Sequence, residues 1–275
     1  MEQFKTRKPV VAGQFYPASP EKLKNQISAF IDKKAARHKQ AALACVLPHA
    51  GYEYSGSVAA ETLSAVAIPD KIILLGPNHT GFGAKFSLMG EGVWQTPLGD
   101  VKIDAELAKK ILRRSSHLKQ DYLAHLQEHS LEVVLPFLQF FKRDFEIVPI
   151  TVFPEDISVL KKIGQELAEA IKEGEIKGSV LLVASSDLTH YESAASAQKK
   201  DHAAIEAILK LDADLLAQRV GGLNISMCGY APVIIMLVAA RELGASSGRL
   251  IKYQTSGEAT GDFDSVVGYA GIVIN

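Results

Sequence analysis

The chain has little cysteine: two residues in 275, Cys45 and Cys228. That excludes a small domain stapled by several disulfides, and a chain of this length buries enough surface to need no such staples. It has no long hydrophobic run. The longest, residues 231–240, stops at Arg241 and falls far short of the roughly 20 residues needed to cross a bilayer. The opening residues, MEQFKTRKPVVAG, lack the apolar stretch of a secretory signal. An excess of one charge is missing too. Lys and Arg number 30 against 31 Asp and Glu, for a net charge of −1, so there is no basic footprint for nucleic acid. The expected protein is cytoplasmic, with no membrane segment and no nucleic-acid partner.

Several chemical signatures are absent as well. There is no G-x-x-x-x-G-K-[ST] phosphate loop. Gly81-Phe82-Gly83 lacks the third glycine and the following helix of a dinucleotide fingerprint. No G-x-S-x-G nucleophile elbow occurs, and no pair of C-x-x-C motifs offers a structural zinc site.

What is present is ordinary globular material, with 47 % hydrophobic and 22 % charged residues, a composition that excludes general disorder. No repeat or linker divides it, so residues 1–275 read as a single domain. Aliphatic runs at 41–47, 71–75, 145–152, 179–184, 250–255 and 265–274 read as strands. Most are apolar throughout, as strands buried on both faces are. Helical patterns fall between them, at 20–33, 55–66, 104–114, 130–141, 157–173, 199–210 and 232–243. Ser19 is an N-cap candidate and Gly244 a stop signal. The alternation predicts a layered α/β/α sandwich around a mixed, mostly parallel sheet.

Three of the strand candidates end alike, in a polar loop carrying a histidine. They are Leu47-Pro48-His49-Ala50-Gly51-Tyr52, Leu75-Gly76-Pro77-Asn78-His79 and Ser185-Ser186-Asp187-Leu188-Thr189-His190-Tyr191. In a parallel sheet the C-terminal strand ends share one edge, where ligands bind. Cys228 lies just before the helix that Pro232 opens, where a helix dipole favours thiolate. One histidine after a strand reads as a hydrogen-bonded loop residue. Three at equivalent ends, with a helix-start cysteine, read as a transition-metal or catalytic set.

The other histidines and the second cysteine read more plainly. Cys45 reads as a small buried hydrophobe within a strand. His117, His125 and His129 lie in a polar stretch that reads as a loop leading into a helix capped by Ser130; the alternative is that Glu128-His129-Ser130 forms part of a cleft wall. His38 and His202 read as exposed helix residues.

These motifs, taken in order with Arg7-Lys8-Pro9 through Phe15-Tyr16-Pro17, Trp94-Gln95-Thr96-Pro97-Leu98-Gly99, Glu128 to Glu132, Cys228-Gly229 and Gly268-Tyr269-Ala270, resemble the Memo family, also called AmmeMemoRadiSam system protein B. The resemblance runs the length of the chain. It implies a fold similar to class III extradiol dioxygenases, with His49, His79 and Cys228 as metal ligands. His190 matches the acid–base position, and Asp187 beside it would orient it or balance its charge. In place of the dioxygenases' two-His, one-carboxylate triad, the resemblance implies a thiolate, Cys228, as the third ligand. Iron(II) is implied by analogy of fold, while copper and zinc suit the same ligands.

Tyr52, Trp94, His129 and Tyr191 are the expected cleft residues. A small molecule or peptide is the expected ligand there, and the family label implies a functional link to AMMECR1-like and radical-SAM proteins. The first functional expectation is a metal-dependent, dioxygenase-like oxidoreductase. Against it stand a binding or signalling adaptor using the same cleft, and an amidase or transferase with Cys228 as nucleophile.

Overall fold

The computed structural model describes residues 6–31, 39–173 and 180–275. The chain begins with β1 (Thr6–Arg7), α1 (Pro20–Ala29), β2 (Ala44–Leu47), α2 (Tyr52–Ser64) and β3 (Lys71–Pro77). It continues through β4 (Phe86–Leu88), β5 (Val93–Thr96), β6 (Gly99–Ile103), α3 (Ala105–Arg114), β7 (Lys119–Gln120), α4 (Leu123–Leu126), α5 (Leu135–Phe141) and β8 (Glu146–Val152). The remainder holds α6 (Ile157–Glu173), β9 (Val180–Ser185), β10 (His190–Glu192), α7 (Ala194–Leu209), α8 (Ala213–Gly222), α9 (Tyr230–Glu242), β11 (Gly248–Thr255), α10 (Gly257–Thr260) and β12 (Val266–Ile274).

The strands join in one sheet whose main path runs β1-β5-β6-β8-β3-β9-β2-β12-β10, with β11 added to β12 and β4 to β8. Its centre, β8-β3-β9-β2, is parallel, in registers such as Ile73 opposite Leu182 and Cys45 opposite Val183. The pairings of β12 with β2, β10 and β11 are antiparallel, so the sheet is mixed, as the sequence pattern predicts.

The central strands are buried on both faces because alternate residues point to opposite sides. Ile73, Leu75, Val148 and Leu182 pack under α3, α6, α7, α8 and α9. Ile72, Leu74, Leu181 and Cys45 pack under α1, α2 and α5. The architecture is a three-layer α/β/α sandwich. Helix α9 is apolar nearly all round and sits inside one layer. Gly164 of α6 lets it approach: a Cβ there would stand 2.7 Å from the Ile235 carbonyl. No helix among the described residues is long and apolar enough to cross a membrane.

The elements mostly follow the sequence pattern, with caps where it places them. Ser19 accepts a hydrogen bond from the Lys22 backbone, and Gly244 takes a φ of +101° past the end of α9. The helix expected over 130–141 starts only at Leu135. The Ser130 hydroxyl does not cap it but donates to the Pro77 carbonyl, and Pro136 in the first turn fixes the later start. The helix expected from 199 begins at Ala194, capped by Ser193. The hairpin β5–β6 was not expected. Its tight turn needs Gly99 at φ +120°, a conformation glycine adopts without strain. His202 is exposed on α7 as expected, and His38 lies outside the described residues.

Candidate metal centre

The C-terminal ends of β2, β3 and β9 lie side by side, and each releases its chain into a loop at the same edge. His49 follows β2 directly. Its backbone N–H donates to Asp187 Oδ1 at 2.9 Å, and its Nδ1 lies 2.7 Å from the Ser185 hydroxyl. That hydroxyl donates its one proton to the Ser130 carbonyl at 2.8 Å. Toward His49 it must therefore accept, so Nδ1 carries the hydrogen and Nε2 presents a lone pair. Burial, then the neighbouring His79 and His129, hold the His49 pKa well below the ordinary value. A neutral imidazole that presents the Nε2 lone pair can ligate a metal.

His79 leaves β3 through an Asn78 turn. Asn78 Oδ1 accepts from the Thr80 and Gly81 backbones, and its amide donates to the Phe82 carbonyl. The Glu128 carboxylate accepts from both the backbone N–H and Nδ1 of His79, the latter at 2.9 Å. Burial opposes the charge of Glu128, but the hydrogen bond and charge of His79, with the Ser130 and His79 backbone N–H groups, together outweigh it and bring the carboxyl down to about 2. The carboxylate in turn raises the His79 pKa against the effect of burial. With Nδ1 held, His79 also turns Nε2 outward. A carboxylate behind a metal-binding histidine raises its basicity and fixes its ring.

The third ring is that of His129. Its Nδ1 lies 3.6 Å from Glu128 Oε1, its pKa is lowered, first by burial, and its ring stacks 4.9 Å from His79. Ligand atoms of His49, His79 and His129 all lie within 4.8 Å of one another. Metal–nitrogen bonds are about 2.0–2.1 Å, so small ring movements bring the three onto one ion. The donor set fits a divalent transition metal.

Cys228, expected beside His49 and His79, adjoins this trio through one member. Its Sγ is 3.3 Å from His49 Nε2. Gly229, not Cys228, is the N-cap of α9, and burial together with the Asp187 charge pushes the thiol pKa up. Cys45 is a fully buried strand residue, as expected.

The acid–base residue of the resemblance, His190, has a defined tautomer. Its Nδ1 is 2.9 Å from the Ser226 carbonyl, which can only accept, and its backbone N–H donates to Ser226 Oγ at 2.7 Å. Nε2 is therefore the basic nitrogen. Ser226 holds the His190 ring, while the Asp187 carboxylate accepts from the His49 and Ala50 backbones and acts on His190 through its charge, the second of the two roles expected of it. Burial raises the Asp187 pKa.

His49, His79, His129, Asp187, His190 and Tyr191 line one cavity of about 540 Å³, together with Phe15, Tyr54 and Tyr269 among others. Tyr191 stands at its mouth, 78 % exposed, on a left-handed backbone at φ 59° that a residue with a side chain seldom adopts. Tyr52 and Trp94 are not in the cleft. Tyr52 stacks on Phe137 and donates to the Val133 carbonyl, and Trp94 is buried with its N–H directed at Met89 Sδ. Aromatic rings beside a motif fill the core as readily as a pocket. Sequence reasoning missed Ser185, Ser226 and Phe15. Ser185 lay within a quoted motif, whereas nothing local marks Ser226.

A family model described as "Memo-like protein" matches residues 7–273. A MEMO1 family protein of Methanopyrus kandleri is 41 % identical, over 97 % of this chain and 98 % of its own. Others, from Methanosarcina mazei and Aquifex aeolicus, are 43 % and 42 % identical over 98 % of this chain. A solved structure, an uncharacterized protein from Escherichia coli K12, covers 84 % of this chain and 99 % of its own. Its TM-score is 0.55 at 15 % identity, a likeness of fold alone.

Proposed function

This chain belongs to the Memo family, and from that premise we propose that it is a metal-dependent oxidoreductase whose centre sits at the strand ends. The carrying observation is the convergence of three histidine rings from three separate segments, with ligand atoms within 4.8 Å. At least two of the rings have the nitrogen away from the cluster held by a partner. His49, His79 and His129 would hold the ion, with Cys228 close enough to His49 to join them. Iron(II) is the proposed metal. Once bound, it would supply a Lewis acid and a one-electron redox centre at the cavity floor.

The chain's own groups have separable tasks. His190 Nε2 faces the cavity as a base that takes a proton from a bound ligand and returns it, with Ser226 fixing the tautomer. Asp187 holds the His49 backbone in place. Phe15, Tyr54 and Tyr269 give the cavity an aromatic lining that suits an organic ligand.

The test is metal content by mass spectrometry on protein purified without a histidine tag, wild type beside His79→Ala and Cys228→Ser. Near-stoichiometric iron in the wild type, lost with His79, is the expected result. Zinc would redirect the reading to hydrolysis. No metal after anaerobic reconstitution would end it.

A second reading, a binding protein that uses the cleft for a peptide, is favoured by the exposed Tyr191 at the mouth. His190→Gln separates the two: an adaptor keeps its ligand affinity, whereas an enzyme loses turnover.

A further inference from the structure

Arg7 is fully buried, a rare state for an arginine, and it lies outside the cavity. It sits on β1, whose pairing with β5 sets it opposite Trp94, and its guanidinium lies 4.5 Å over the indole ring. All three of its nitrogens are used. Nη1 pairs with the buried Glu132 carboxylate. Nε donates to the His125 carbonyl at 3.1 Å, and Nη2 donates to the Glu128 carbonyl at 2.6 Å.

Those two carbonyls bracket the turn that leads into His129. The residue whose carbonyl Nη2 grips is also the one whose side chain holds His79. Glu132, at the other end of the turn, is fixed by the Val10 and Val11 backbones and by the Tyr16 hydroxyl at 2.6 Å. The same N-terminal segment carries Phe15, whose ring packs 5.1 Å from that of His129.

We infer that Arg7 is a positioning residue of the metal centre, setting the place of the Glu128 carboxylate and the His129 ring through its grip on residues 125–132. This rests on the metal reading above. A lysine keeps the charge but cannot donate in three fixed directions. Arg7→Lys therefore separates geometry from charge.

The test is titration of metal-free protein with cobalt(II), reading the affinity and the visible ligand-field spectrum, with folding checked by circular dichroism. Arg7→Lys should weaken cobalt binding about 10- to 100-fold, the usual range for groups behind metal ligands, and should change the spectrum. Trp94→Leu, which removes the ring beneath the guanidinium, should weaken it less, and it serves if Arg7→Lys does not fold. Leu167→Ala, in the α6 core away from the site, is the control for stability alone and should bind cobalt as the wild type does.

Loss of affinity in the Arg7 or Trp94 variant but not in Leu167→Ala supports the inference. Equal loss in all three, or none in any, overturns it while leaving the metal reading intact. Wild-type protein that binds no cobalt would take both down.

Discussion

At the scale of single residues, His49 and His79 each have a partner that decides which nitrogen the ring presents. Ser185 does this for His49 with one proton, which is already committed to the Ser130 carbonyl. Ser185→Ala removes that instruction and leaves a ring that turns or changes tautomer. The expected result is metal affinity lowered about 10-fold or more with the fold intact, checked by metal titration and circular dichroism. Glu128→Gln is the harsher case, because the amide lacks the charge that holds His79 and raises its basicity. The same titration should show a loss towards the upper end of about 100-fold. These partners were only partly legible in the sequence. Glu128-His129-Ser130 stood out as a string, and a cleft wall was one of its two readings. Nothing in it said that the glutamate turns back to a histidine 49 residues earlier.

At the scale of elements, the site depends on how closely α9 approaches the end of β9. Gly229 caps α9, and a Cβ there would stand 2.3 Å from the Ser185 carbonyl and 2.5 Å from Ser186 Cβ. A carbonyl of a central strand cannot move aside cheaply. Gly229→Ala is therefore expected to cost about 1–3 kcal/mol, as overpacking does, visible as a lower midpoint of thermal unfolding. It should also shift Cys228, its neighbour, relative to His49. Element by element, the sequence pattern was informative where the core decides. Strands β3, β8 and β9 and helix α6 announce themselves by runs and periods that burial imposes. It was least informative for β5, β6 and the 130–134 turn. There the conformation is set by a glycine at positive φ, a proline and a hydroxyl bonded to a distant carbonyl.

At the scale of the whole molecule, pH should act through a buried histidine that is not a ligand. His125 is fully buried, and burial, followed by the Arg7 charge, brings its pKa down to about 4 from 6.5. The unfolded chain therefore binds a proton between pH 6.5 and 4 that the folded chain does not. Stability falls as pH drops through that window and levels off below it. The contribution is about 3 kcal/mol. Unfolding of metal-free protein from pH 8 to 4, wild type beside His125→Gln, should show a shallower decline in the variant. Parallel profiles would mean that His125 titrates normally.

By itself, the sequence determined the layering, the parallel centre of the sheet and the edge at which the histidines gather. All three follow from local quantities: apolar runs, their periodicity and polar motifs at strand ends. The family could also be read from residues in order along the chain. Only the tertiary structure decided that His129 joins His49 and His79, with ligand atoms within 4.8 Å, that Trp94 and Tyr52 belong to the core, and that Ser226 holds the His190 ring. Each of these is a contact across dozens of residues of chain, fixed by packing of whole elements. No window of sequence contains both partners.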